Sequence, residues 1–357
     1  MEKKKLAIIG QGRSGRDIHG AFLLSEQNRY FQVRYIVERD ERRRELSKDR
    51  YPGCEVLGDY TELFGRTDID LVVNASFSDE HYPISLDLLR HGFNVLSEKP
   101  MARNHFECEE LIRTAKEQGV LFTVFQNSMF APYVTRLYEE AESGKFGSIL
   151  EVKVRFSQLA RRWDWQTLQK KMGGNAYNTG PHPIGIAAGL LGFSRDIRVL
   201  CSRLARTELT SGDADDFCKM LLTAPDAPLV DVEINSNDAF SDYNVRLLGT
   251  RGTYETSIHS YRAKYLVPEE NETRPLQEHF LEDACGNPLY CHENARYHTE
   301  SGTIDGDAFS VGAVRIYREI YDCLTQGTPM TYTAEDYTAI YRIIETLQAE
   351  NPLGRIY

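Results

Sequence analysis

Tryptophan is almost missing from this sequence: there are two in 357 residues, both within ARRWDWQ (160–166). Long apolar runs are missing altogether. The longest nearly apolar stretch, IAAGLLGF (186–193), falls far short of the ~20 residues that cross a bilayer. MEKKKLAIIG opens like a leader peptide, but its apolar part ends at Gly10. The expected location is cytoplasmic, with no membrane partner. Positive charge is also short, with 42 Lys and Arg against 53 Asp and Glu, a net charge of −11. Such a chain repels phosphate backbones, so no nucleic-acid partner is expected. The basic runs KKK (3–5) and RRR (42–44) lie beside acids and read as solvated.

Cysteine follows no framework. The seven (54, 108, 201, 218, 285, 291, 323) are scattered and odd in number, as expected of reduced packing residues. CGNPLYCHENARYH gathers Cys285, Cys291, His292 and His298, but at spacings that match no zinc knuckle. It reads as a loop with surface histidines, and no metal is expected. Repeats and low-complexity tracts are absent, and the length fits two domains.

What is present is a change of pattern near residue 128. Up to there, short apolar runs alternate with amphipathic segments: KLAIIG, FQVRYIV (31–37), DLVVNAS (70–76), FNVLSE (93–98) and VLFTVF (120–125) read as strands. Helices are expected from Arg16 to about Gln27, from about Asp40, from Asp79 to Arg90 with Gly92 behind it, and after Asn104. Asn104 and Glu107 form a capping-box pattern there, and Gly119 ends that helix. Strands apolar on both faces mean a parallel sheet covered on both sides. After a helix at about 132–143, alternating runs take over: EVKVRFSQL, IRVLCSRLA, DFCKMLLT, LVDVEINS, YNVRLLG and GTYETSI. These predict a mostly antiparallel open sheet, and helices at 307–326 and 334–349 close the chain. The expected fold is α/β: a Rossmann domain over 1–127, then an α+β domain over 128–357 whose final helix packs back on the first.

KLAIIGQGRSGRD sets Gly10, Gly12 and Gly15 between a strand and a helix, with Arg13 and Ser14 in the turn. Glycines there permit the tight turn, backbone approach to a pyrophosphate, and close helix–strand packing. The helix start offers free N–H groups to phosphate. Glu38, at the end of the second strand, is placed to accept from a ribose diol, which favours NAD. Arg39 follows and suits a 2′-phosphate, so NADP stays open.

Together with that turn, EKP (98–100), GKFG (144–147) and GPH (180–182) follow in order along nearly the whole chain. The chain thereby resembles the glucose–fructose oxidoreductase / inositol dehydrogenase / MocA (Gfo/Idh/MocA) family. The resemblance implies a Rossmann domain, an open-sheet second domain, and NAD(P)-dependent chemistry on sugars, inositols or related polyols. It implies a cis Lys99–Pro100 bond that aims Lys99 into the cleft, with Glu98 beside the cofactor. It places Ser76 and His81 near the nicotinamide-side ribose and pyrophosphate and Asn127 near the nicotinamide. Phe77-Ser78 stands where the family has proline–asparagine.

Oxidising a secondary alcohol needs a hydride acceptor and a base. Lys99 can donate to the substrate oxygen, and His182 in GGNAYNTGPHPIG is the acid/base that the family pattern implies. Asn178 stands where the family has aspartate; an amide positions substrate but carries no charge, so His182 basicity should fall. Proton transfer then rests on His182 alone, with Lys99, or with a substitute such as Asp164 or Tyr177. Trp163, Asp164 and Trp165 suggest a sugar-facing loop, and Arg161 or Arg162 suits an acidic sugar. Two other readings stand beside the dehydrogenase. One is transient oxidation by retained NAD, allowing elimination or glycoside cleavage; the other is a non-catalytic dinucleotide- or sugar-sensing regulator. An open sheet with one bare face also predicts a homo-oligomer.

Overall fold

Leu6, Ala7 and Ile8 are consecutive and wholly buried, which a strand achieves only when both faces are covered. In the computed structural model, which describes residues 2–356, this strand is the centre of a six-stranded parallel sheet. It comprises β1 (Lys4–Ile9), β2 (Phe31–Val37), β3 (Glu55–Leu57), β4 (Leu71–Asn74), β5 (Val95–Ser97) and β6 (Phe122–Val124). The order is β3-β2-β1-β4-β5-β6. Strand order therefore reverses between β1 and β4, and the crevice beyond their carboxyl ends is where such sheets hold ligands. A π-helical segment (Ser14–His19) leads into α1 (Gly20–Leu24); α2 (Glu41–Arg50), α3 (His81–Arg90) and α4 (His105–Gln118) follow. Asn104 caps α4 by accepting from Glu107 N, and Gly119 closes it at φ +66°. The reciprocal half of the capping box is shifted, because the Glu107 carboxylate reaches Arg103 N rather than the cap residue.

Beyond α5 (Pro132–Glu142) lies an eight-stranded sheet of β7 (Ile149–Ser157), β8 (Arg198–Ala205), β9 (Phe217–Thr223), β10 (Leu229–Asn235), β11 (Val245–Gly249), β12 (Gly252–Thr256), β13 (Ser260–Leu266) and, after a hairpin of β14 (Leu281–Glu282) and β15 (Pro288–Leu289), β16 (Tyr297–Thr303). Only β7 and β10 run parallel. Val152, Val154, Met220, Val232 and Leu247 fill the covered face. A helix unforeseen from sequence, α6 (Pro181–Leu190), lies against β7 and β10 there. The opposite face is a lattice of ion pairs, Arg155–Glu233, Lys219–Asp231 and Arg262–Glu255 among them. It presents charge to the surroundings. In the 267–296 excursion Cys285 and Cys291 are exposed free thiols, while His298, just beyond it on β16, stacks on Tyr265 and meets Glu270.

The closing helices α7 (Ala313–Gln326) and α8 (Ala334–Glu350) both return to the first sheet. Tyr341 of α8 accepts from Met101 N at 2.6 Å. Tyr317 of α7 stacks on Phe22, and its hydroxyl lies 2.7 Å from His19 Nδ1. The other ring nitrogen of His19 meets Glu98 Oε1 at 3.1 Å, and all three residues are buried. Burial alone would raise the Glu98 carboxyl, but the His19 hydrogen bond and the charges of His19 and Lys99 outweigh it and hold it at about 2.

Two outcomes follow for thermal denaturation. Tyr317→Phe strands a buried imidazole nitrogen and should cost about 1–3 kcal/mol. Glu98 has a folded pKa below its unfolded value, so its contribution is whole above ~4.5 and fades as pH falls toward 2. The stability gap between Glu98→Gln and wild type should therefore narrow on acidification through that window; a gap independent of pH would refute the assignment.

Candidate active site

The chain leaves β1 at Gly10, φ +88°, where a Cβ would collide with the Ala75 carbonyl. A Cβ on Gly15 would collide with the Gly10 carbonyl. At Gly12, by contrast, nothing lies within 4 Å of an added Cβ. Two of the glycines are thus demanded by the protein's own packing, and the third faces empty space. Gly10, Gly12, Arg13 and Ser14 line a cleft of about 670 Å³, while Gly15 lies buried beneath it.

Glu38 follows β2 and is 7% exposed. Its Oε2 accepts from Gln11 N at 2.7 Å and its Oε1 from Asp40 N at 2.9 Å, which fixes the carboxylate on the cleft wall. Arg39 turns to Glu80, 2.7 Å away. Across the strand-order reversal, the His81 ring sits between the carbonyls of Ser76 (3.2 Å) and Pro100 (2.8 Å) and ties two loops of the cleft together. Burial keeps that ring below the usual histidine range. Ser76 Oγ donates to Asn74 Oδ1, and Asn127 Nδ2 donates to the Ala308 carbonyl. Ser76, His81 and Asn127 all line the cleft.

The Lys99–Pro100 peptide bond is cis. Glu98 points back to His19, and Lys99 Nζ reaches forward to donate to the Asn178 carbonyl at 2.6 Å. Burial lowers the Lys99 ammonium; Glu98 opposes this, Arg162 and Arg13 reinforce it, and the net shift is downward. Asn178 lies in a π-helical turn (Asn175–Thr179) that starts from Gly174 at φ +93°. Asp215 holds that turn by accepting from Ala176 N, and burial pushes its carboxyl up to about 7. The turn delivers His182 as the second residue of α6, with Nδ1 2.9 Å from Ser128 Oγ. Burial, then Lys99, depress His182 to about 3, so the imidazole is neutral at pH 7.

Lys99, Asn178, His182, Asp164 and Trp165 meet in the same cleft as the glycine turn. Two expected contributors do not. Trp163 is 77% exposed and lies off the cleft wall, because its neighbours Arg162 and Asp164 turn inward and pair with each other. Tyr177 is buried with its hydroxyl on the Arg103 carbonyl, so it is committed to packing and carries no proton for the cleft. Trp165 instead meets Phe77 edge-on at 4.9 Å, and Lys171 pairs with Asp79 at 2.9 Å, so both contacts span the two walls. Ser128, Gln166, Asp215 and His19 went unforeseen. Each acts through a partner distant in sequence, and only His19, four residues after Gly15 on the same helical face, left a local signal.

Known proteins bear on this geometry. Residues 4–126 match the model of an oxidoreductase family with an NAD-binding Rossmann fold, and residues 134–255 match the Gfo/Idh/MocA C-terminal domain. An uncharacterized oxidoreductase of Schizosaccharomyces pombe is 31% identical over 54% of this chain and 53% of its own. A 2,7-anhydro-N-acetylneuraminate hydratase of Mediterraneibacter gnavus is 24% identical over 71% and 67%. The scyllo-inositol 2-dehydrogenase (NADP⁺) of Bacillus subtilis is 27% identical over 54% and 53%. The matches thus span about half to two thirds of these relatives' length. Among solved structures, GenD2 from gentamicin A biosynthesis, in complex with NAD, has a TM-score of 0.74 at 22% identity, covering 98% of this chain and 93% of that one. With the two family models matched in chain order over more than half of the chain, the protein belongs to the Gfo/Idh/MocA oxidoreductase family.

Proposed function

We propose that this protein is an NAD(P)-dependent oxidoreductase acting on a secondary alcohol, or the matching ketone, of a sugar, inositol or related polyol. The observation that carries the reading is the junction of Lys99, Asn178 and His182 with the glycine turn in one continuous cleft. The empty space before Gly12 and the fixed Glu38 carboxylate fit a dinucleotide, and Glu38 favours NAD over its 2′-phosphorylated form. Gly10, Gly12, Arg13 and Ser14 would hold the pyrophosphate and Glu38 the adenosine ribose. When bound, the nicotinamide supplies the hydride acceptor or donor.

The chain's own part is the proton. A group with a pKa near 3 is a poor base at neutral pH, so His182 serves as a neutral hydrogen-bonding group for the substrate oxygen. Lys99 is better suited to proton transfer. Burial draws the ammonium down toward the working range, and its hydrogen bond goes to a carbonyl rather than a carboxylate. An aspartate at 178 would hold the charge on; the amide does not. Lys99 thus takes the hydroxyl proton during oxidation and returns it during reduction. A second reading, oxidation by retained NAD followed by elimination, draws on the relatives named hydratases, at 24% and 23% identity. Net NADH formation on a polyol panel separates the two, since elimination leaves none.

Two further outcomes are expected. Gly12→Ala should place a methyl in the cofactor's path and cost about 1–3 kcal/mol of overpacking, about 5- to 150-fold in NAD affinity by calorimetric titration. The thermal midpoint of the cofactor-free protein should stay within about 2 °C. Unchanged NAD affinity would remove the dinucleotide assignment. Lys99→Met should lower kcat/KM by about 10²- to 10⁴-fold. In the wild type, kcat/KM for oxidation should rise with pH to a plateau governed by a group below the usual lysine value of about 10.4. Asn178→Asp should move that limb to higher pH. A limb unmoved by Asn178→Asp would take the proton away from Lys99.

A further inference from the structure

We propose that the substrate carries a carboxylate received by Arg162, making it a sugar acid such as an aldonate or uronate rather than a neutral polyol. The proposal rests on the oxidoreductase reading above and narrows its substrate.

The balance of hydrogen-bond donors and acceptors decides between the two. A sugar hydroxyl both donates and accepts, so a site for a neutral sugar presents acceptors as well as donors. Beside Lys99 and Arg162 the two carboxylates and Asn178 are already engaged. The Asn178 carbonyl takes Lys99 Nζ, and its side-chain oxygen takes Gln166 Nε2 at 2.8 Å. Asp164 Oδ1 takes Arg162 Nε at 2.9 Å and Gln166 N at 3.2 Å, and Oδ2 takes Arg162 Nη2 at 3.3 Å. Glu98 is turned away, with Oε1 on His19 and Oε2 on Lys99 N. Donors are in surplus. The Lys99 ammonium commits one of its three hydrogens, and Arg162 bonds Asp164 through Nε and Nη2 without using Nη1. A carboxylate only accepts, and it matches a guanidinium with hydrogens to spare.

Charge points the same way. Lys99 and Arg162 line the same cleft from its two walls, and Asp164 is the acid paired with Arg162 there. The Arg162–Asp164 pair is 40% and 47% exposed, so it is worth little and yields cheaply to an incoming anion. Burial chiefly lowers the Lys99 ammonium and Glu98 opposes this; Arg162 adds to the lowering, so its guanidinium is electrostatically coupled to the reacting nitrogen. An anionic substituent on the substrate can replace Asp164 on Arg162; a neutral polyol offers Arg162 no such exchange.

The test is NADH formation by the NAD-loaded enzyme on matched pairs: D-galacturonate with D-galactose, D-glucuronate with D-glucose, and D-gluconate with D-glucitol. In at least one pair the acid should exceed its neutral partner in kcat/KM by about tenfold or more at low ionic strength, with the advantage shrinking as salt rises. Arg162→Gln should lower the acid-to-neutral ratio about fivefold or more, chiefly through KM. Neutral partners used as well as or better than the acids would overturn the proposal and leave the oxidoreductase reading standing. So would an Arg162→Gln variant that slows both members of a pair equally. No NADH from any member would count against the oxidoreductase reading itself, and the narrower proposal would fall with it.

Discussion

The site depends on the burial of one carboxylate. Successive side chains of an extended segment point to opposite sides, so fixing Glu98 among His19, Tyr317 and the core commits Lys99 to the other side, which is the cleft. The same burial that fixes Glu98 surrounds Lys99 with low-dielectric protein. Two adjacent charges are thus driven apart in role: the acid stays ionised at about 2 as an anchor, and the amine is lowered toward exchange. Tyr317 lies 298 residues from His19 along the chain, so the anchor is complete only when the closing helix has docked.

On the opposite wall the backbone does the positioning. Gly174 is held close to Asp215, whose carboxylate an added Cβ would strike, and the turn that follows projects the Asn178 carbonyl toward Lys99. A backbone carbonyl cannot ionise and cannot swing away. It orients the lysine nitrogen without adding the countercharge that a carboxylate would bring. His182, one turn further on, inherits its place from the same glycine and the same buried acid.

These two halves are unequally legible in the sequence. The glycine turn, Glu38 and the EKP segment carry their meaning within a few residues, and the first sheet follows because its strands are apolar on both faces. Helix α6 hides because IAAGL is apolar all round and has no amphipathic period to find. SYRAKYL and YHTESGT look like polar linkers, yet they form β13 and β16 at the sheet's end, where one exposed face needs little apolar pattern. ARRWDWQ is legible in kind and misleading in part. Composition brings two indoles to the loop, but only the chain's path decides that Trp165 faces in and Trp163 out. Tyr177 misleads for the same reason, since its partner Arg103 belongs to another element.

The walls are joined with unequal strength at their two ends. At the back, Tyr317 and Tyr341 are buried, and their hydrogen bonds cannot be exchanged for water. At the mouth the links are a partly exposed Lys171–Asp79 pair and the Phe77–Trp165 edge contact. Pairs of the first kind are worth little, and an aromatic pair adds only about 0.5–1.5 kcal/mol. Separating the mouth is therefore cheap and separating the back is not, so any opening pivots about the closing helices. A motion of that kind moves Arg162, Asp164 and Trp165 with the outer wall, while Glu98 stays anchored at the pivot and Lys99 with it.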